Sequence, residues 1–119
     1  MPAKDIHVQK ANANEAFAMS LPLDSQVRVD WTLIALFYSA MHYVEAYLAI
    51  SNTHLRSHTT RDQYVGRDAN LKKIWSQYQD LKFFGYNARY EAPQFTARDV
   101  TTNALPQLAM VKAAISRFL

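Results

Sequence analysis

The chain has 119 residues, half of them hydrophobic and 13% aromatic, with 2 Gly, 4 Pro and 0 Cys. That composition excludes a disordered chain, a collagen-like or turn-rich β architecture, a disulfide framework, a thiolate zinc site and a cysteine nucleophile. Thirteen Lys and Arg against ten Asp and Glu give a net charge of +3, too mild for the dense basic face of a dedicated DNA binder.

Residues 1–119 read as one helical domain. The first predicted helix runs from about Lys4 to Ser20, with Ile6, Ala13 and Phe17 on one face, and stops at Leu21 because Pro22 disfavours helix before it. Asp24 or Ser25 then caps a helix from about Val27 to Ser51. Its run WTLIALFYSAMHYVEAYLAI is apolar nearly all round, as in a helix at the centre of a bundle. Asp30, His42 and Glu45 interrupt the run and argue against a membrane span. Asn52 is the expected terminator.

Thr59-Thr60-Arg61-Asp62 fits a helix-start signature, predicting a short helix over 60–65 that ends at Gly66. Asp68 is expected to cap a helix over 69–90 whose buried face carries Leu71, Ile74, Trp75, Tyr78 and Leu81. Gly85 falls inside it, where a kink or a close helix–helix approach would explain a poor helix former. Pro93 marks the next break. Thr96 and Asp99 then form a capping box, with Phe95 placed to staple onto Val100. Val100, Ala104, Leu108, Val111, Ile115 and Phe118 continue that face. Pro106 should bend the last helix, the alternative being a fresh start near Asn103. The fold expected is all-α, an up-and-down bundle of four long helices plus one short one.

The residues that a core helix should not carry are the informative ones. Tyr38, His42 and Glu45 share a helix face, and buried polar groups need partners, for which Arg61, Arg89, Tyr78, Tyr86 and Tyr90 are the candidates. Such a set is either a network fixing helix register or a binding pocket. His42, Glu45, His54 and His58 offer imidazoles and a carboxylate, but their spacing matches no metal-ligand motif. No metal and no cofactor are expected, and His7 reads as an exposed surface residue. The stretch 54–73, with Arg56, Arg61, Arg67, Lys72 and Lys73, is either a solvated connection or a weak anion-binding surface. No phosphate-cradling glycine loop and no serine-hydrolase elbow is present. The N-terminal segment carries no apolar leader, so a cytoplasmic location is expected.

The run Ala35-Leu36-Phe37-Tyr38-Ser39-Ala40-Met41-His42-Tyr43-Val44-Glu45-Ala46 resembles the second helix of HEPN domains. His54-Leu55-Arg56-Ser57-His58-Thr59-Thr60-Arg61 resembles the loop after that helix in small prokaryotic members. Tyr78-Gln79-Asp80-Leu81, with Asn87-Ala88-Arg89-Tyr90 after it, resembles the family's later helix, and Phe95 to Val100 the start of its last. The resemblance spans roughly Trp31 to Phe118. It implies a helical bundle, often a homodimer, that binds a nucleotide or RNA, cleaves RNA, or pairs with a nucleotidyltransferase-type protein. The pocket it implies comprises His42, Glu45, His58, Arg61, Tyr78, Arg89 and Tyr90. RNase members carry an Arg, a polar residue and then a His on a late helix; here the last His is His58, and nothing after Arg89 supplies an imidazole.

These residues admit three readings. The first is a non-catalytic module that binds a nucleotide, RNA or a protein partner, with Arg61 and Arg89 on phosphate, His42 or His58 as a donor and a tyrosine stacked on a base. The second is a metal-independent RNase with a non-standard site, using His42 or His58 as acid or base. The third is an interaction protein whose polar residues only fix the bundle.

Overall fold

The computed structural model describes residues 3–55, 57–91 and 95–119. Arg56 and the Pro93 break lie outside the described residues. Helix α1 is Lys4–Ser20, α2 Gln26–Ile50, α3 His58–Arg67 and α4 Trp75–Tyr90, the last preceded by a 3-10 turn, Leu71–Ile74. The final rod begins as α5, Ala97–Asp99, widens into a π-helical segment, Val100–Ala104, and continues as α6, Leu105–Ser116. The fold is all-α. Helices α1 and α2 run antiparallel, with His7 against His42 and Ala11 against Ser39, and α1 runs antiparallel to the final rod, with Lys4 against Leu119 and Glu15 against Lys112. The final rod is parallel to α2, from Gln26 against Phe95 to Tyr47 against Phe118, as alternate members of an up-and-down bundle are.

Helix α2 is the centre. It packs on α1, α4 and α6 and buries Leu33, Leu36, Ala40, Val44 and Leu48. By length and mean hydropathy (1.4 over its best window) it is apolar enough to cross a membrane, but 67% of that window is buried inside the bundle. Ser25 is its cap, accepting from the Arg28 amide. At its far end Asn52 takes a left-handed φ of 56°, a conformation that Asn tolerates better than most residues.

On α1 the buried face is His7, Ala11 and Ala18, and the expected face of Ile6, Ala13 and Phe17 is solvent-exposed. The small face wins because it lets the backbones approach: Ser39 Oγ on α2 donates directly to the Ala11 carbonyl at 2.9 Å. The same exchange of apolar for small residues is seen at Gly85, where an added Cβ would lie 2.7 Å from Phe37 Cβ. Gly85 thus marks a close approach of α4 to α2.

Helix α3 starts earlier than expected. Ser57 accepts from the Thr60 amide, and Asp62, the residue expected to complete a box with Thr59, instead pairs with Lys82 of α4. Gly66 lies inside α3, and Trp75, expected in the core, is 45% exposed with its indole edge against Gly66. Asp68 caps the 3-10 turn and not the expected helix over 69–90: its Oδ1 accepts from the Asn70 and Leu71 amides at 2.8 and 3.0 Å, and α4 starts only at Trp75, without a side-chain cap. Thr96 and Asp99 form the expected capping box. Pro106 has no N–H to give the Thr102 carbonyl. The helix absorbs this neither by breaking nor by restarting at Asn103, but by a widened turn in which the Leu105 amide donates to Val100 O.

Candidate functional site

Three polar side chains on one face of α2 serve three different helices. Tyr38 meets Arg89 of α4, His42 meets His7 of α1, and Glu45 meets Arg61 of α3. The face that the sequence suggests as one site is divided.

The Glu45 cluster is internal. Arg61 Nε donates to Glu45 Oε1 at 2.6 Å, and the two side chains are 7% and 6% exposed. Desolvating two charges costs several kcal/mol per ion, and only close geometry with further hydrogen bonds recovers it. Arg61 has one such bond, from Nη1 to His58 Nδ1 at 3.0 Å. Tyr78 is fully buried beside this pair, and among the described residues its hydroxyl has no hydrogen-bond partner. Burial raises its pKa; the nearby Arg61 guanidinium pulls the other way but is not in hydrogen-bonding geometry.

His42 belongs to a second cluster. Its Nδ1 lies 3.1 Å from His7 Nδ1, and the rings are tilted by 31° with centroids 5.4 Å apart. Only one of the two nitrogens can carry the proton between them. Burial, then the proximity of His7, Lys10 and Arg61, pushes His42 down to about 4. Burial also lowers His7, against an opposing pull from Glu45. His7 is therefore not the exposed residue expected from sequence: it is buried, because the small face of α1 turns inward. His42, Glu45, His54 and His58 do not converge on one point, and among the described residues no three His, Asp or Glu side chains are placed to share a metal ion.

The third cluster opens to solvent. A cleft of about 340 Å³ lies between α2, α3 and α4. Phe37 and Gly85 form its floor, and Tyr38, His58, Lys82, Tyr86, Arg89 and Tyr90 its walls. The floor exists because Gly85 lets α4 come down onto Phe37. Arg89 is exposed, yet it is held: Nη1 donates to Tyr38 Oη at 2.6 Å, and the guanidinium sits 5.1 Å from the centroid of the Tyr90 ring. The Tyr86 and Tyr90 rings stand 5.0 Å apart and are 53% and 60% exposed. Lys82 is paired with Asp62, whereas among the described residues Arg89 has no carboxylate partner.

Of the residues singled out in the sequence, Tyr38, His58, Tyr86, Arg89 and Tyr90 line the cleft. Glu45, Arg61 and Tyr78 lie in the buried network, and His42 stands apart. Arg61, turned inward to Glu45, is not an open phosphate ligand, and the basic stretch 54–73 loses its central cation to the core. Sequence reasoning did not place Phe37, Lys82 or Gly85 in the site. The spacing of 82, 85, 86, 89 and 90 along one helix is the signal that gathers them. Comparison of the chain with family models, with curated proteins and with solved structures returned no match.

Proposed function

We propose that this protein is a non-catalytic binding module whose cleft takes a nucleotide unit, free or within single-stranded RNA. The observation that carries this reading is Arg89: a guanidinium without a carboxylate partner among the described residues, oriented by Tyr38 and Tyr90 at the rim of an aromatic cleft. Arg is suited to phosphate because its planar fork makes charge-assisted, two-point hydrogen bonds. Tyr86 and Tyr90 offer exposed rings to a base, and such stacking contributes about 1–3 kcal/mol per base. The resemblance to HEPN domains agrees with this reading; the homodimer and the nucleotidyltransferase-type partner rest on that resemblance alone.

The test is titration of the full chain with AMP and with a short oligouridylate, monitored by calorimetry or fluorescence. Binding of either, weakened about tenfold or more by Arg89→Ala and by Tyr90→Ala, is the expected result. The two probes distinguish a free nucleotide from a strand. Identical affinities for wild type and Arg89→Ala, or no binding of either probe, would reject the reading.

A further inference from the structure

We infer that His58 is the specificity-determining donor of this cleft: a neutral imidazole, held with its proton on Nε2, that gives a hydrogen bond to an acceptor oxygen of the ligand and cannot take a proton from it. The inference rests on the cleft being the binding site. Its own ground is the hydrogen bond from Arg61.

A guanidinium can only donate. With Arg61 Nη1 3.0 Å from His58 Nδ1, that ring nitrogen must be the acceptor and cannot itself carry a proton. The neutral ring's proton therefore sits on Nε2, which points away from Arg61, and His58 is a solvent-exposed residue of the cleft wall. The choice of tautomer is not left to solvent. Arg61 is buried and is fixed from its other side by Glu45 of α2 at 2.6 Å, so it cannot swing aside to admit an N–H at Nδ1 without stranding a buried carboxylate.

The charges around His58 act in the same direction. Arg61 on its own helix and Lys82 on α4 both disfavour the imidazolium, and among the described residues Asp62 alone favours it. Arg89 and Tyr38 face it from the cleft walls and Tyr86 and Tyr90 line the same space; Glu45 faces it only through Arg61. His58 is also the first residue of the ten-residue helix α3, whose N-terminal end carries partial positive charge. Burial lowers the His58 pKa from its ordinary value of 6.5.

The chemical consequence concerns selection. A histidine free in a phosphate site gains a proton as the anion binds, and affinity then climbs as the pH falls through its pKa. A locked, neutral His58 adds no charge. It recognises the position of an oxygen, a phosphodiester oxygen or a base carbonyl, and leaves the charge recognition to Arg89. The same lock removes His58 as a general base, since Nδ1 is occupied and Nε2 already holds its proton.

Two measurements on the full chain test this. Side-chain ¹⁵N NMR of the histidines should show His58 as a single neutral tautomer protonated at Nε2, titrating below the ordinary 6.5. Titration with oligouridylate, whose phosphodiesters do not titrate near neutrality, should give affinity that stays level from about pH 7.5 to about pH 6. His58→Gln, which places an amide N–H near the Nε2 position, should bind within a few-fold of wild type. His58→Asn, whose shorter amide keeps an acceptor for Arg61 but reaches less far, should melt like wild type and bind about tenfold more weakly, as befits one lost hydrogen bond. A proton on Nδ1, or affinity that rises as the pH falls through 6.5 in wild type but not in His58→Gln, would overturn the inference. Wild-type protein that binds no oligouridylate would overturn the cleft reading and the ligand role of His58 together, while the NMR tautomer would still decide whether the lock exists.

Discussion

On α2, Glu45 meets Arg61 of α3 and His42 meets His7 of α1, three residues apart along one face. The first pair keeps both charges and removes their cost by contact and by the extra bond to His58. The second pair avoids charge: two imidazoles share one hydrogen bond, and burial disfavours the charged form of both. One face of one helix therefore holds two answers to desolvation, with different failure modes. The ionic pair fails when a partner is removed, and the neutral pair fails when a proton is added. Of the two pairs, only the ionic one reaches the cleft, because His58 is positioned by Arg61 and not by His7 or His42.

The largest effect is expected from Arg61→Met, which leaves Glu45 buried without its cation. Removing one member of a buried pair costs about 3–5 kcal/mol, read as a lower midpoint in urea denaturation. Glu45→Met in the same chain should recover most of that loss. A single variant with near wild-type stability would mean that the pair is hydrated in solution and that the contrast with the histidine pair is empty.

Gly85→Ala should be next, at about 1–3 kcal/mol for overpacking. The clash is with Phe37 Cβ at 2.7 Å, which no rotamer change relieves, so α4 must move away from α2 and the cleft floor opens. Unchanged stability together with unchanged nucleotide binding would show that this approach is not close.

The neutral pair is probed by acid. His42 binds its proton only near pH 4 when folded but near 6.5 when unfolded, so between those values the unfolded chain holds more protons. Stability is then full above about pH 6.5 and declines as the pH falls toward about 4. Thermal melts across that window should show the decline, and His42→Gln should make it shallower, because Gln offers an uncharged partner to His7 while His7 and His58, both also lowered, keep the remainder. A decline of the same slope in His42→Gln would place its origin elsewhere.

Thr96→Ala sets the scale for an ordinary local contact. It removes the capping box with Asp99, far from both pairs, and should cost about 1 kcal/mol without altering binding in the cleft or the acid dependence. A larger loss would show that the final rod supports more of the bundle than its cap suggests.

How far the sequence could be read depended on whether a feature was local. The first helix's limits, the Ser25 and Thr96 caps and the stop at Asn52 arise from side chains and backbone preferences that act within a turn, and these hold. Apolar periodicity also placed Leu71, Ile74, Tyr78 and Leu81 inside, and Leu108, Val111 and Ile115 on the buried face of α6. It misjudged α1 and Trp75. Burial in those places was decided by how closely two backbones approach, and a small residue such as Ala11 permits an approach that Phe17 would block.

The sequence by itself determined the all-α class, the number of rods and the presence of polar residues on a helix that is otherwise core. Only the tertiary structure decided who partners whom. Tyr38, His42 and Glu45 look like one site when only α2 is considered, because i, i+3 and i+4 spacing places them on one face. A face a few residues long can still border three neighbouring helices. Its division among Arg89, His7 and Arg61 is set by the packing of α4, α1 and α3, and residue spacing within α2 carries no information about those distances.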